Sequence, residues 1–105
     1  MLAPYCETPP DRATLDVTPG PLVLEFGSND CGIYRAALPL IIQAMAGCSM
    51  PHHRIQDGKG RRLGRTFAVK LWPTLIMLRD GKEVARVVLP TTVDEIVQAL
   101  QVFEE

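Results

Sequence analysis

A cysteine at the start of a helix is the residue of this sequence best suited to chemistry. Cys31 follows the turn at residues 27–30 and precedes an apolar stretch, reaching Ala46, that has helical periodicity. The positive end of a helix dipole and the free N–H groups there favour the thiolate, which is the nucleophilic form of cysteine. Asp30 opposes this effect, because one negative charge disfavours another beside it. The sequence alone leaves open whether Cys31 is reactive or inert.

The other two cysteines are candidates for a second thiol. Cys48 lies 17 residues after Cys31, which along a helix corresponds to on the order of 25 Å. A disulfide requires Cα atoms within about 7 Å, so we predict that Cys48 is a packing residue. Cys6 lies on a proline-rich arm, and a role for it as the resolving thiol stays open.

One acid and two histidines complete the set of chemical candidates. Glu25 lies within the apolar run LVLEF, where an ionised carboxylate needs a partner. His52 and His53 follow Cys48 closely, but a zinc site usually has four ligands and no second Cys/His pair is present. We therefore predict surface or strand-edge histidines and no metal site.

Length and composition predict one globular domain over residues 1–105, with residues 1–20 as a proline-rich N-terminal arm. A net charge of −1 argues against nucleic acid or an anionic membrane as the partner. No apolar stretch approaches the ~20 residues of a membrane span, and the start lacks the pattern of a secretory signal. Three cysteines form no disulfide framework, so we expect a reducing cytoplasm.

A local concentration of positive charge stands out against this balance. Lys59, Arg61, Arg62 and Arg65 alternate with glycines. Such a run is typical of a solvated loop, and a partner-binding patch is the alternative.

The pattern of elements predicts an α/β protein. We expect strands at 22–26, 52–57, 74–78 and 83–89, and helices at 31–46, 63–69 and 92–103, with a helical turn or two within 11–17. Asn29 or Asp30 is the expected cap of the long helix, which should kink at Pro39 rather than break. Asp80-Gly81 predicts a type I′ hairpin turn. This order favours a sheet with helices on both faces.

Several positions in register resemble the thioredoxin family, across roughly residues 20–103. They are Cys31-Gly32-Ile33-Tyr34 in place of the family's C-G-P-C, the helix proline Pro39, Trp72-Pro73-Thr74, the Asp80-Gly81 hairpin and the buried acid Glu25. The resemblance implies the thioredoxin fold, a central mixed parallel/antiparallel sheet flanked by helices on both faces. It also implies a cis peptide bond before Pro73.

The same resemblance assigns candidate roles to residues. Cys31 becomes the catalytic nucleophile, lined by Gly32, Ile33, Tyr34, Asp30 and Glu25. Trp72, Pro73 and Thr74 become substrate-binding residues, with Trp72 either a wall of the groove or part of the core. Arg54 occupies the position of a family lysine, so we expect a Glu25–Arg54 pair.

The departures from the family's pattern concern the chemistry itself. Tyr34 replaces the second, resolving cysteine, Asp30 replaces a tryptophan and Ile33 replaces a proline. A glycine that usually follows the second hairpin strand is replaced near Val88 or Leu89.

Two functions are compatible with these residues. The first is a monothiol thiol-disulfide oxidoreductase, a monomer that acts on protein or peptide thiols and disulfides without a resident cofactor. Its mixed disulfide would be cleared by a small thiol such as glutathione, as co-substrate. The alternative is a redox-inactive module that binds an extended peptide in a groove around Trp72, Pro73 and Tyr34.

Overall fold

A mixed sheet of four strands forms the centre of the computed structural model, which describes Tyr5 and residues 9–104. The strands are β1 (Pro21–Gly27), β2 (His52–Gln56), β3 (Thr74–Arg79) and β4 (Lys82–Val88), in the order β2-β1-β3-β4. β1 pairs with β2 in parallel, whereas β1–β3 and β3–β4 are antiparallel. The predicted mixed sheet is confirmed.

Helices cover both faces of this sheet, as predicted. They are α1 (Arg12–Asp16), α2 (Gly32–Ala46), α3 (Leu63–Thr66) and α4 (Val93–Leu100), which continues as a 3-10 turn over Gln101–Glu104. Leu15 and Phe67 pack on one face of the sheet, and Ile41 and Ile96 pack on the other. No helix within the described ranges is long and apolar enough to cross a membrane.

Strand β1 supplies side chains to both faces because successive residues of a strand point in opposite directions. Leu24 and Phe26 join the cluster under α1 and α3, and Val23 joins the cluster under α2 and α4. Glu25 therefore lies on the α2 side of the sheet, where it is fully buried.

The N-terminus of α2 differs from the prediction. The residue that caps it is Cys31, whose sulfur accepts the N–H of Tyr34. The expected caps Asn29 and Asp30 are exposed and lie in the preceding turn. The helix then continues through Pro39 to Ala46, so the proline does not break it.

Helix α3 ends earlier than predicted because the chain turns into a left-handed conformation. Ala68 has φ +56°, its N–H bonds to the carbonyl of Arg65, and the N–H of Val69 bonds to the carbonyl of Gly64. These two bonds form the helix-ending motif that usually has glycine at the position of Ala68.

Two local predictions are confirmed at the other turns. Asp80 and Gly81 both have positive φ, at +53° and +82°, as a type I′ turn requires. Thr92 caps α4 by accepting the N–H of Glu95 at 3.2 Å.

The topology brings four connecting segments to one end of the sheet. Gly27 at the end of β1 is in register with Gln56 at the end of β2, because these strands are parallel. The antiparallel strand β3 begins at the same end with Thr74, which is paired with Val88 at the end of β4. The turn before Cys31, the loop after β2, the segment before β3 and the segment after β4 therefore meet there.

Candidate functional site

The sulfur of Cys31 lies at the head of α2. It accepts a hydrogen bond from the N–H of Tyr34 at 3.4 Å, and the residue is partly exposed. Gly32 and Ile33 follow on the surface, with Ile33 62% exposed. Asp30 precedes Cys31 and is exposed as well, so solvent screens its charge. The thiol is therefore partly exposed and has one backbone N–H as a hydrogen-bond donor.

Beneath this turn, Glu25 is the centre of a buried polar network. The hydroxyl of Tyr34 donates to Oε2 of Glu25 at 2.5 Å, and Nε of Arg54 donates to the same oxygen at 3.2 Å. Nε2 of His52 lies 2.9 Å from Oε1. Nη2 of Arg54 also donates to the hydroxyl of Tyr34 at 2.6 Å. The expected Glu25–Arg54 pair is confirmed, and Tyr34 and His52 extend it to a network of four residues.

The network keeps Glu25 ionised. Burial raises the pKa of this carboxyl, but the hydrogen bonds from His52 and Tyr34, with the charges of His52 and Arg54, outweigh burial and hold the pKa below 4.5. The pKa of Tyr34 is strongly raised by burial and by the hydrogen bond to Glu25. Tyr34 therefore stays a neutral hydrogen-bond donor.

The ring of Tyr34 is enclosed by its neighbours. The side chain is fully buried, and a Cβ at Gly27 would overlap the ring. Tyr5, from the N-terminal arm, stacks on it with ring centroids 6.4 Å apart, and its own ring lies 4.7 Å from the guanidinium of Arg54. The expectation that Tyr34 contributes to a peptide-binding groove is therefore wrong, because its hydroxyl points to Glu25 and not to the surface.

The segment before β3 has the form that the resemblance implies, with a cis Trp72–Pro73 peptide bond. Thr74 is buried, and its hydroxyl donates to the carbonyl of Leu71 at 2.7 Å. Its side chain is therefore engaged within the protein and cannot contact a substrate. Trp72 packs against both core clusters, and its Nε1–H donates to Oδ2 of Asp57 at 2.9 Å.

An open apolar groove of about 400 Å³ lies beside the start of α2. It is lined by Ile33, Ala36, Ala37, Leu40, Pro73, Leu89, Pro90 and Thr91. Leu89 has φ +51°, an uncommon conformation for a branched side chain. Its N–H bonds to the carbonyl of Pro73 at 3.0 Å, which joins the segment after β4 to the segment before β3.

The structure separates Cys31 from the second cysteine that it describes. Cys48 follows the far end of the 15-residue helix α2, about 22 Å along the axis, and both thiols are free. Cys6 lies outside the described residues. Among those residues, no three His, Cys, Asp or Glu side chains are grouped so that they could hold a metal ion.

Comparison with known proteins settles the family. No protein-family model matches the chain. The chain is 32% identical over 75 residues to thioredoxin from Chlamydia pneumoniae, a match that covers 69% of this chain and 72% of that protein.

The chain belongs to the thioredoxin family.

Solved structures of this family agree with the fold. Thioredoxin 2 from Pseudomonas aeruginosa PAO1, in its reduced form, is 43% identical with a TM-score of 0.86, and the match covers 98% of this chain and 96% of that one. Thioredoxin NaTrxh from Nicotiana alata is 24% identical with a TM-score of 0.73, over 90% and 82% of the two chains. The second likeness supports the fold alone.

Within this thioredoxin fold, sequence reasoning missed the roles of two residues near Glu25. His52 is on the edge strand β2, as expected, but its ring reaches the carboxylate. A signal was present, because His52 and Arg54 are two residues apart and share one face of a strand. Tyr34 was recognised as a replacement for cysteine, whereas its bond to Glu25 depends on how α2 sits on the sheet.

Proposed function

We propose that this member of the thioredoxin family catalyses thiol-disulfide exchange through Cys31 alone. The observation that carries the proposal is the placement of Cys31 in the structure. Its partly exposed sulfur caps α2 and accepts the N–H of Tyr34, beside a groove formed in part by Ile33 and Pro73. Backbone donors at a helix N-terminus favour the thiolate.

The reaction requires two exchange steps. In the first, the Cys31 thiolate attacks one sulfur of a substrate disulfide, forms a mixed disulfide with it, and releases the other sulfur as a thiolate. In the second, the thiolate of an external thiol attacks the substrate's sulfur in this mixed disulfide, and the sulfur of Cys31 leaves as a thiolate. That step restores Cys31 and leaves the external thiol bonded to the substrate.

The need for an external thiol follows from position 34. Tyr34 has no thiol to act as the resolving group, and its hydroxyl is bonded to Glu25 and Arg54 beneath the helix. Cys48 is at the other end of α2, and no resolving role is proposed for Cys6, which lies outside the described residues. A low-molecular-weight thiol, of which glutathione is the expected example, is therefore the proposed co-substrate.

Glu25 has a structural role in this proposal. In the resemblance, the buried acid assists proton transfer to a resolving cysteine, which this chain lacks. Here the carboxylate accepts hydrogen bonds from Tyr34, Arg54 and His52. It fixes the first turn of α2 against β1 and β2, and Cys31 lies at the start of that turn.

The proposed setting is a reducing cytoplasm, and the proposed partners are disulfides of proteins or peptides. The substrate would lie against Pro73 and Ile33, which line the groove. Thr74 is left out of the substrate-binding set because its hydroxyl is bonded to the carbonyl of Leu71 and it does not line the groove, whereas Pro73, although also buried, does line it. We propose that the protein acts as a monomer.

Alkylation kinetics of a single-thiol variant test the proposal. In C6S/C48S, Cys31 is the only thiol, and its reaction with iodoacetamide at pH 7 is followed by mass spectrometry, with and without urea. We expect the folded protein to react at least about threefold faster than the unfolded one, because the helix N-terminus favours the thiolate. Glutathione disulfide should add one glutathionyl group, and reduced glutathione should remove it.

The serine variant C31S, with its other cysteines intact, is the control and should not turn over a peptide disulfide. Labelling that is tenfold slower in the folded protein than in urea, together with no mixed disulfide, would contradict the proposal. That result would favour the redox-inactive peptide-binding module, with a groove formed by Ile33, Pro73 and Leu89.

A further inference from the structure

The segment between β2 and β3 is rich in positive charge, and it begins and ends at the same end of the sheet as Cys31. The loop after β2 begins where Asp57 donates its N–H to the carbonyl of Gly27, the last residue of β1. Cys31 follows the same strand after a short turn. Parallel strands end at one edge of the sheet, so the two loops are neighbours. We call Lys59, Arg61, Arg62, Arg65 and Lys70 the basic patch.

The charge of the basic patch contrasts with that of the remaining chain. Residues 57–70 hold its five cations and one acid, Asp57, for a net charge of +4. Since the whole chain carries −1, the remainder carries −5. All five side chains of the basic patch are exposed, and among the described residues none of them forms an ion pair. These cations are therefore available to a partner.

Two of these arginines line a pocket that faces Trp72. The pocket has a volume of about 200 Å³ and is formed by Asp57, Gly58, Arg61, Arg65, Val69 and Trp72. The bond from Nε1 of Trp72 to Asp57 fixes the indole and occupies the carboxylate that lines the pocket. A guanidinium binds a carboxylate with two parallel hydrogen bonds. The pocket thus offers carboxylate-binding groups next to the segment that contains Pro73.

We propose that the basic patch is a docking surface for acidic segments of the polypeptides whose disulfides react with Cys31. The proposal rests on the proposed function, since it names the substrate class for that site. Positive charge beside a reactive thiol raises the rate at which an acidic partner arrives. A long nucleic acid fits less well, because it would extend from the basic patch onto a surface of opposite net charge.

Binding to a chemically inert variant tests the docking surface. C31S is titrated with three fluorescein-labelled peptides of equal length that differ only in acidic, neutral or basic residues around a central serine. We expect the acidic peptide to bind at least tenfold more tightly than the basic one at 20 mM salt. At 0.5 M salt the difference should fall below about twofold, because the screening length then shortens to a few ångströms.

Charge reversals locate the effect on the protein. R61E and R65E, each made in C31S, should weaken binding of the acidic peptide at least about fivefold. K82E is the matched control, because it changes the charge equally. Lys82 is exposed at the start of β4, some six residues or about 20 Å from the end that holds the basic patch. It should alter binding less than about 1.5-fold.

The reaction arm separates failure of this proposal from failure of the proposed function. The wild-type chain is mixed with peptide disulfides of the same three charge types, and mixed-disulfide formation is timed. Equal binding and equal rates for all three would overturn the docking surface and leave exchange through Cys31 intact. Charge-selective binding without any reaction would overturn the exchange function alone. A single-stranded oligonucleotide that competes better than the acidic peptide would also overturn the docking proposal.

Discussion

The tyrosine that replaces the resolving cysteine should contribute to stability through its hydroxyl, and Tyr34→Phe isolates that contribution. The ring and its packing on Gly27 are retained, whereas the donor to Glu25 and the acceptor for Arg54 are lost. A hydrogen bond to a charged group contributes about 1.5–3 kcal/mol. We expect the free energy of unfolding to fall by about 2 kcal/mol at pH 7.

The pH dependence of this loss follows from the pKa of Glu25. Because the folded protein holds that pKa below 4.5, the ionised carboxylate stabilises the fold above about pH 4.5. This stabilisation is lost as the pH falls through the lower, folded value. Removing the hydroxyl of Tyr34 removes one cause of the lowered pKa of Glu25, so the free energy of unfolding of the variant falls less in acid than that of the wild-type protein. The difference between the two proteins should shrink to under about 1 kcal/mol at pH 3.

Urea unfolding at pH 7 and pH 3 measures both quantities, with an unchanged slope against urea as the check that the fold is retained. A double-mutant cycle with Glu25→Gln adds the coupling between the two side chains, which should be about 1–2 kcal/mol. A loss below 0.5 kcal/mol at pH 7 would contradict a stabilising role for the Tyr34 hydroxyl. A loss that stays constant or grows in acid would refute the assignment to Glu25.

Two glycine–alanine comparisons test the backbone. Gly27→Ala should lower the free energy of unfolding in urea by about 3 kcal/mol, since its Cβ would overlap the ring of Tyr34. The control Gly32→Ala, with nothing within 4 Å of its Cβ, should be neutral or slightly stabilising. Equal effects of the two substitutions would contradict the packing of Tyr34 on Gly27. Ala68→Gly should raise the free energy of unfolding by about 1 kcal/mol, because Ala68 has φ +56°. The control Ala36→Gly, on an exposed face of α2, should lower it by about as much, and a destabilised A68G protein would contradict the strain assigned to Ala68.

The sequence predicted those parts of the fold whose signals are local. Asp80-Gly81 has the residue types that a positive-φ turn demands, and Thr92 and Glu95 have the spacing of a helix cap, so no distant contact was needed to interpret them. The end of α3 was missed because Ala68 adopts a conformation that its residue type does not favour. That conformation is held by the hydrogen bonds from the N–H groups of Ala68 and Val69 to the carbonyls at the end of α3.

The candidate site was predictable to the extent that it follows the register of the strands. Glu25 is paired in register with Arg54. Because similar sequences have the same strand register, the resemblance was enough to predict this pair. The orientation of Tyr34 depends instead on how α2 packs against β1. That packing involves residues far apart in the sequence, so no local pattern predicts it. Its position in the sequence indicated only that it shares a helix turn with Cys31.

The network around Glu25 also bears on how such a site can change over generations. Tyrosine and cysteine codons differ by a single nucleotide, so a second cysteine at position 34 is one mutation away. That mutation would remove the ring that fills the space above Gly27 and would leave Glu25 and Arg54 without their shared hydroxyl. A second cysteine at position 34 is thus short in genetic distance but requires compensating changes at the buried charges. The hydrogen bonds of Tyr34 to Glu25 and Arg54 therefore disfavour that substitution.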